Sequence, residues 1–237
     1  MKIPSLGSLV VGVLLPVSFV CAEAPANWAA TVALPAAEKP VALFNGKDLA
    51  GWKRNEKYWS VQDGVIVGKN TAENAPKAST YLLSEGKFRA IRLLFEGKLV
   101  TSEMHSGVSL WGSAVEKEGD PHSYMGHLVM FPSGWGFWDL YRRNSIYKDD
   151  GRAKKAGRQH DWNQMEILAQ PPRIRFAVNG QLVADWIDPK PELCGEGPIG
   201  LQLHSNKVAQ EVHFRGLILV QNPEDRMVTV SAAAPAR

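Results

Sequence analysis

The chain has 237 residues, of which 45% are hydrophobic and 22% charged, and a formal net charge of +3. This length and composition suit one large globular domain and exclude a disordered or low-complexity chain. The charge is too small to mark a nucleic-acid partner.

Residues 1–22 read as a leader. Lys2 is a positive start, and Leu9 to Val20 is an apolar run too short to span a bilayer. Val20-Cys21-Ala22 offers small residues for cleavage after Ala22. The expected mature chain begins at Glu23 and is exported, to the periplasm or beyond, with no membrane-spanning segment left. Cys21 raises lipid anchoring as an alternative, but Phe19-Val20 departs from the small residues that such a motif uses. Residues 23–40 are rich in Ala and Pro and read as a linker.

The folded domain is expected over residues 41–220. Leu43 to Leu49 is a short strand and a turn. Trp59 to Gln62 and Val65 to Val67 form a hairpin on Asp63-Gly64, a pair suited to a turn with two positive φ angles. Residues 69–79 are loop-like. Tyr81–Leu83, Phe88–Glu96 and Gly107–Trp111 are strands, followed by a charged loop over Glu116–Ser123. His127–Phe131 and Gly136–Arg143 are a further strand pair. The basic run from Ile146 to His160 is a short helix or a lid-like loop. Asp161 to Asp188 is a meander of three strands, turned at Pro171-Pro172 and at Asn179-Gly180. In it Ile174, Phe176 and Val178 share one face, and Arg173 and Arg175 the other. Ile199–His204 and Val212–Val220 close the domain, and residues 221–237 read as a disordered tail. About a dozen short strands at regular spacing with no helical period imply an all-β, two-sheet antiparallel sandwich or jelly roll. Loss of Cys21 would leave Cys194 as the mature chain's one cysteine, so no internal disulfide is expected. Its loop setting suits an inert, half-buried thiol better than a reactive one.

The sequence has no nucleophile elbow, phosphate loop, HExxH or paired-cysteine metal motif. Chemistry must therefore sit on a sheet face or in loops. In Gly200-Leu201-Gln202-Leu203-His204, Gln202 and His204 share a face opposite the leucines, and a histidine there is a candidate general base. Trp135, Trp138, Asp139, Tyr141 and Arg143 lie in one aromatic-rich run, and such platforms suit the C–H faces of sugars as well as a core. His105, His127 and His204 are a conceivable ligand trio without a strong ligand motif, so a divalent metal stays an open question and no metal residue is assigned.

Leu43-Phe44-Asn45-Gly46-Lys47-Asp48-Leu49-Ala50-Gly51-Trp52 resembles the opening motif of the 3-keto-disaccharide hydrolase family. Trp59 to Val67 resembles its next hairpin and Ser106-Gly107-Val108 its Ser-Gly strand. Asp161-Trp162-Asn163, Val178-Asn179-Gly180, Gly197 to His204 and Phe214-Arg215 resemble its later motifs in order. The resemblance spans about residues 41–220. Departures are His105 for the family's asparagine, Trp111 for an arginine, and no glutamate in the strand around His127. The resemblance implies a concanavalin A-like jelly roll that cleaves glycosides already oxidised at C3. A base removes the acidified C2 proton, the C1 oxygen leaves, and water adds. His204 or His127 is then the expected base. Arg143, Arg175 or a bound cation would hold the enolate, and Trp135, Trp138 or Tyr141 would stack on the ring. Gln202, Arg175, Asp139, Tyr141, Arg143 and His204 are expected on one polar face, with His105 and Trp111 also assigned to substrate binding. Two other readings stand beside the enzyme: a non-catalytic carbohydrate-binding, lectin-like module, and an interaction domain.

Overall fold

The structure is a computed structural model that describes residues 27–101, 105–131, 136–139, 141 and 144–230, with 138 and 139 described by backbone alone. The strands are β1 (Pro40–Ala42), β2 (Trp52–Lys53), β3 (Trp59–Gln62), β4 (Val65–Asn70), β5 (Thr80–Phe88), β6 (Ile91–Thr101), β7 (Ser106–Lys117) and β8 (Asp120–Phe131). They continue with β9 (Gly136–Asp139), β10 (Asn144–Lys148), β11 (Asn163–Gln170), β12 (Arg173–Val178), β13 (Gln181–Ile187), β14 (Gly197–Leu203) and β15 (Gln210–Gln221). Two short helices, α1 (Trp28–Thr31) and α2 (Arg152–Ala156), and a 3₁₀ turn, Pro191–Leu193, accompany them among the described residues. None is long and apolar enough to cross a membrane.

The strands form two antiparallel sheets. One runs β13-β12-β11-β6-β15-β4-β3, with β1 added on β15; the other runs β10-β9-β8-β7-β14-β5-β2. The expected sandwich is therefore present. Asp63 and Gly64 take φ of 47° and 75°, and Asn179 and Gly180 take 47° and 81°. These left-handed pairs match the right-handed twist of the flanking strands, which is why both hairpins form where the dipeptides stand. The core lies between the sheets. Ile91, Leu93 and Phe95 of β6 and Ile174, Phe176 and Val178 of β12 face Val108, Val129, Phe131 and Leu201. The rings of Phe95, Phe131 and Phe214 meet at centroid distances of 5.6–6.4 Å.

Three local readings differ. The charged segment 116–123 is strand, because β7 and β8 run on to a tight hairpin with Lys117 opposite Asp120. Residues 27–40, expected as linker, include α1 and pack Ala29 against Leu94 and Ile218 on the outer face of the eight-stranded sheet. Residues 222–230, expected within a disordered tail, lie on that same face, where Val228 and Thr229 donate backbone hydrogen bonds to Glu166 at 2.9–3.1 Å.

Both terminal segments are fastened by one side chain. Arg92 is wholly buried; it donates to Glu38 at 2.8 and 3.1 Å, to Glu166, and to the carbonyl of Arg226 at 2.9 Å. Burial works to raise the Glu38 carboxyl, but the hydrogen bonds and charge of Arg92 outweigh it and hold the group below its ordinary pKa. Removing one partner of a buried ion pair leaves the other charge uncompensated, at about 3–5 kcal/mol. Arg92→Ala is therefore expected to lower unfolding stability by about that amount in urea denaturation. A loss below about 1 kcal/mol, the range of an exposed pair, would show that the cluster does not fasten the termini.

Candidate functional site

Alternation along β14 and β7 divides the candidate residues between two faces of the seven-stranded sheet. Leu201 and Leu203 point into the core, so Gln202 and His204 point outward. Gly200 pairs with Ser109 and Leu201 with Val108, and the same register carried on sets His204 opposite His105. The two imidazoles meet edge to face, with centroids 4.5 Å apart and planes at 72°. Both are half-buried. Burial, and then the neighbouring His204, push His105 down to about 4. Burial also lowers His204, partly offset by a hydrogen bond to the Ser205 backbone. Two cationic rings at this distance repel, so the pair is neutral near pH 7.

On the same face Gln202 pairs with Tyr81 of β5, and its amide donates to the Tyr81 hydroxyl at 3.0 Å. Burial raises the Tyr81 phenol, which stays protonated and able to donate. The Gln202 carbonyl oxygen and His204 Nδ1 are buried and make no hydrogen bond of ordinary geometry. Unpaired buried polar atoms are uncommon, and two on one face are where a polar ligand would bind. Tyr81 and Gln202 themselves are only 1–2% exposed, so the half-open part of this face is the histidine pair.

His127 does not join that pair. It stands opposite Leu110 on the core side, fully buried, and its Nε2 lies 2.6 Å from Asp188 Oδ2. Cys194 Sγ lies 3.8 Å from the same oxygen. His127, Asp188 and Cys194 are the one set among the described residues whose donor atoms converge as metal ligands, all within 4.8 Å. Trp111 packs its ring 5.2 Å from the His127 ring, and Trp186 and Tyr141 approach it at 6.1 Å.

The single polar face expected from sequence is thus corrected. Arg175 belongs to the eight-stranded sheet, where it bonds Gln170 at 3.0 Å and pairs with Asp225. Trp111 is buried in the core beside His127, away from His204. Tyr141 donates to the Trp111 carbonyl at 2.8 Å and lies on the His127 side of the sheet. Gln202 faces outward but is buried on Tyr81. Trp135 and Arg143 lie outside the described residues. Asp139 and Trp138 are backbone partners of His127 and Leu128, and their side chains lie outside the description. His105 and His204 are brought together. Sequence reasoning missed Tyr81, Asp188 and Cys194 as partners. The period-2 alternation that placed Gln202 also marks Tyr81 once the pairing of β5 with β14 is known.

A search of curated proteins found no relative. Among solved structures, the chain is similar to a protein from Parabacteroides distasonis described as a candidate glycosyl hydrolase, at 18% identity and TM-score 0.56, covering 77% of this chain and 93% of that one. A second such protein from that organism is 19% identical with TM-score 0.53, over 76% and 98% of the two chains. A Bacillus licheniformis β-glucanase is 13% identical with TM-score 0.50, over 78% and 98%. These likenesses show a shared jelly-roll fold. The sequence profile described as the 3-keto-alpha-glucoside-1,2-lyase-like domain matches residues 39–219. That match takes in both sheets and the histidine pair, and the chain belongs to this carbohydrate-active, glycosyl hydrolase-like family.

Proposed function

We propose that the chain is an exported enzyme that cleaves 3-keto-glycosides by elimination across C1 and C2, with His204 as the base. The observation that carries this reading is the neutral His105–His204 pair beside Gln202 and Tyr81, in a chain of this family. A C3 ketone acidifies the C2 proton. Neutral His204 accepts that proton, and the electron pair moves into the enolate at the C3 oxygen. The enolate then expels the C1 oxygen, which leaves with a proton as the aglycone alcohol. Water adding to the enone completes net hydrolysis. His105, held neutral to about pH 4, does not compete electrostatically with the imidazolium formed on His204. Gln202 and the protonated Tyr81 lie buried beside the pair, so the half-open histidine rings are the groups that would meet a sugar.

His204→Ala is expected to lower turnover of a 3-keto-glycoside about 10²–10⁴-fold. The thermal midpoint should change little, since His204 sits at a strand end. Product release and thermal midpoint are measured together. Unchanged turnover removes His204 from the mechanism. Sugar binding without turnover by the wild type, with and without divalent metals, favours the lectin-like reading.

The histidine pair also predicts acid sensitivity. His105 titrates near 6.5 unfolded and at about 4 folded, so the unfolded chain binds the extra proton. Stability from this group is complete above pH 6.5 and falls as pH drops toward 4, by up to on the order of 3 kcal/mol. His105→Gln should flatten the fall in urea midpoint across that window. An unchanged slope would show that His105 is not held neutral by its surroundings. Export predicts a mature N-terminus at Glu23 by mass spectrometry, and a chain starting at lipid-modified Cys21 would instead make the protein membrane-anchored.

A further inference from the structure

A thiol, an imidazole and a carboxylate meet at one point inside the sandwich. Asp188 Oδ2 lies 2.6 Å from His127 Nε2 and 3.8 Å from Cys194 Sγ, and the three residues are 0–2% exposed. His127 comes from β8. Asp188 follows β13, and Cys194 caps the short 3₁₀ turn Pro191–Leu193 before β14. The other Asp188 oxygen takes the Lys190 backbone N–H at 2.8 Å, which aims Oδ2 at the remaining two donors.

We propose that His127 Nε2, Asp188 Oδ2 and Cys194 Sγ form a binding site for a thiophilic divalent ion of the zinc type. Three arguments support it. The first is geometry. Zinc bonds of roughly 2.0–2.3 Å in a tetrahedron put donor atoms about 3.2–3.8 Å apart. The three donors lie within 4.8 Å, so side-chain rotations that change donor separations by about 1 Å, opening the His–Asp contact and closing the widest pair, complete the set.

The second is charge. A divalent ion with one carboxylate, one thiolate and one neutral imidazole sums to zero. The bound set thus carries no net charge into the low-dielectric interior. The third is ligand type. One thiolate, one imidazole and one carboxylate suit zinc or cobalt and not magnesium or calcium, which take oxygen donors.

The alternative use of these groups, as an activated nucleophile, fits less well. The thiol contacts the carboxylate, whereas activation needs it on the imidazole. All three groups are shut from solvent, so the ion's role is structural: it fastens the 188–194 connection to β8. It lies on the opposite side of the seven-stranded sheet from His105 and His204 and does not depend on the proposed elimination.

The test uses the processed chain, in which Cys194 is the sole thiol. Wild-type protein is refolded with zinc, dialysed, and its metal content measured, and a metal-free sample is titrated with cobalt(II). One zinc per chain and a thiolate-to-cobalt charge-transfer band at one equivalent are expected. Cys194→Ser should abolish the band and weaken cobalt binding by about 100-fold or more, beyond what loss of an outer-shell partner costs. Chelation should lower the thermal midpoint of the wild type. Absence of the band in wild-type protein overturns the site, whether or not any variant folds. Zinc that survives Cys194→Ser with unchanged affinity overturns it as well.

Discussion

Trp111 sits in the left-handed backbone region, with φ of 59°, and the arrangement of both clusters depends on it. A non-glycine residue there carries about 1–3 kcal/mol of strain. Burying a tryptophan offsets this, since removing such a side chain from a core costs about 3–5 kcal/mol. The conformation is a β-bulge: β7 pairs Leu110 with His127 and then Ser113 with Met125, two residues against one. The bulge lets Leu110 and Trp111 both face the core. Its surroundings hold it there. The Trp111 indole donates to the Arg89 carbonyl at 2.7 Å, and its own carbonyl accepts from Tyr141. Tyr124 accepts from the Gly112 N–H at 3.0 Å and donates to the Pro198 carbonyl at 2.7 Å. The strands close so tightly that a Cβ on Gly197 would lie 2.0 Å from the Gly112 carbonyl oxygen.

The bulge separates two kinds of histidine environment on one sheet. Past it, toward the His105 end, the face carries small or uncharged groups: Gly107, Gly200, Gln202 and Tyr81. Burial there without a counter-ion favours neutral imidazoles, which is what a proton acceptor near neutral pH needs. On the core side His127 has a carboxylate at 2.6 Å, a partner that the outer-face pair lacks. The side of the sheet on which a histidine falls therefore decides whether it meets a carboxylate or another imidazole.

Much of the fold is legible locally. Asp63-Gly64 and Asn179-Gly180 mark their hairpins, and the alternation of Ile174, Phe176 and Val178 marks a core face. Alternation states which residues of one strand share a face; it cannot state which sheet the strand joins. Arg175 obeys its own pattern and still lies on the opposite sheet from His204, because β12 pairs with β11 and β13. The packing of residues 27–40 and 222–230 escapes local reading for a related reason. Their order comes from Arg92 and Glu166, whose partners Glu38 and residues 226–229 are distant in sequence. Asp188 and Cys194 were equally hidden, since a loop has no period from which to read the direction of a side chain.

The bulge also accounts for the chain's departure from its family resemblance at position 111. In an unbroken β7, residue 111 would share the outer face with Gly107 and Ser109, where an arginine could reach solvent. One extra residue reverses that parity and turns position 111 inward, where a tryptophan fits and an unpaired arginine would not. Any charge stabilisation on the outer face must then come from elsewhere in the chain. Within the described residues, the groups around the histidine pair on that face include the neutral donors and acceptors of Tyr81 and Gln202. A neutral histidine pair with amide and phenol neighbours is suited to proton transfer and hydroxyl recognition.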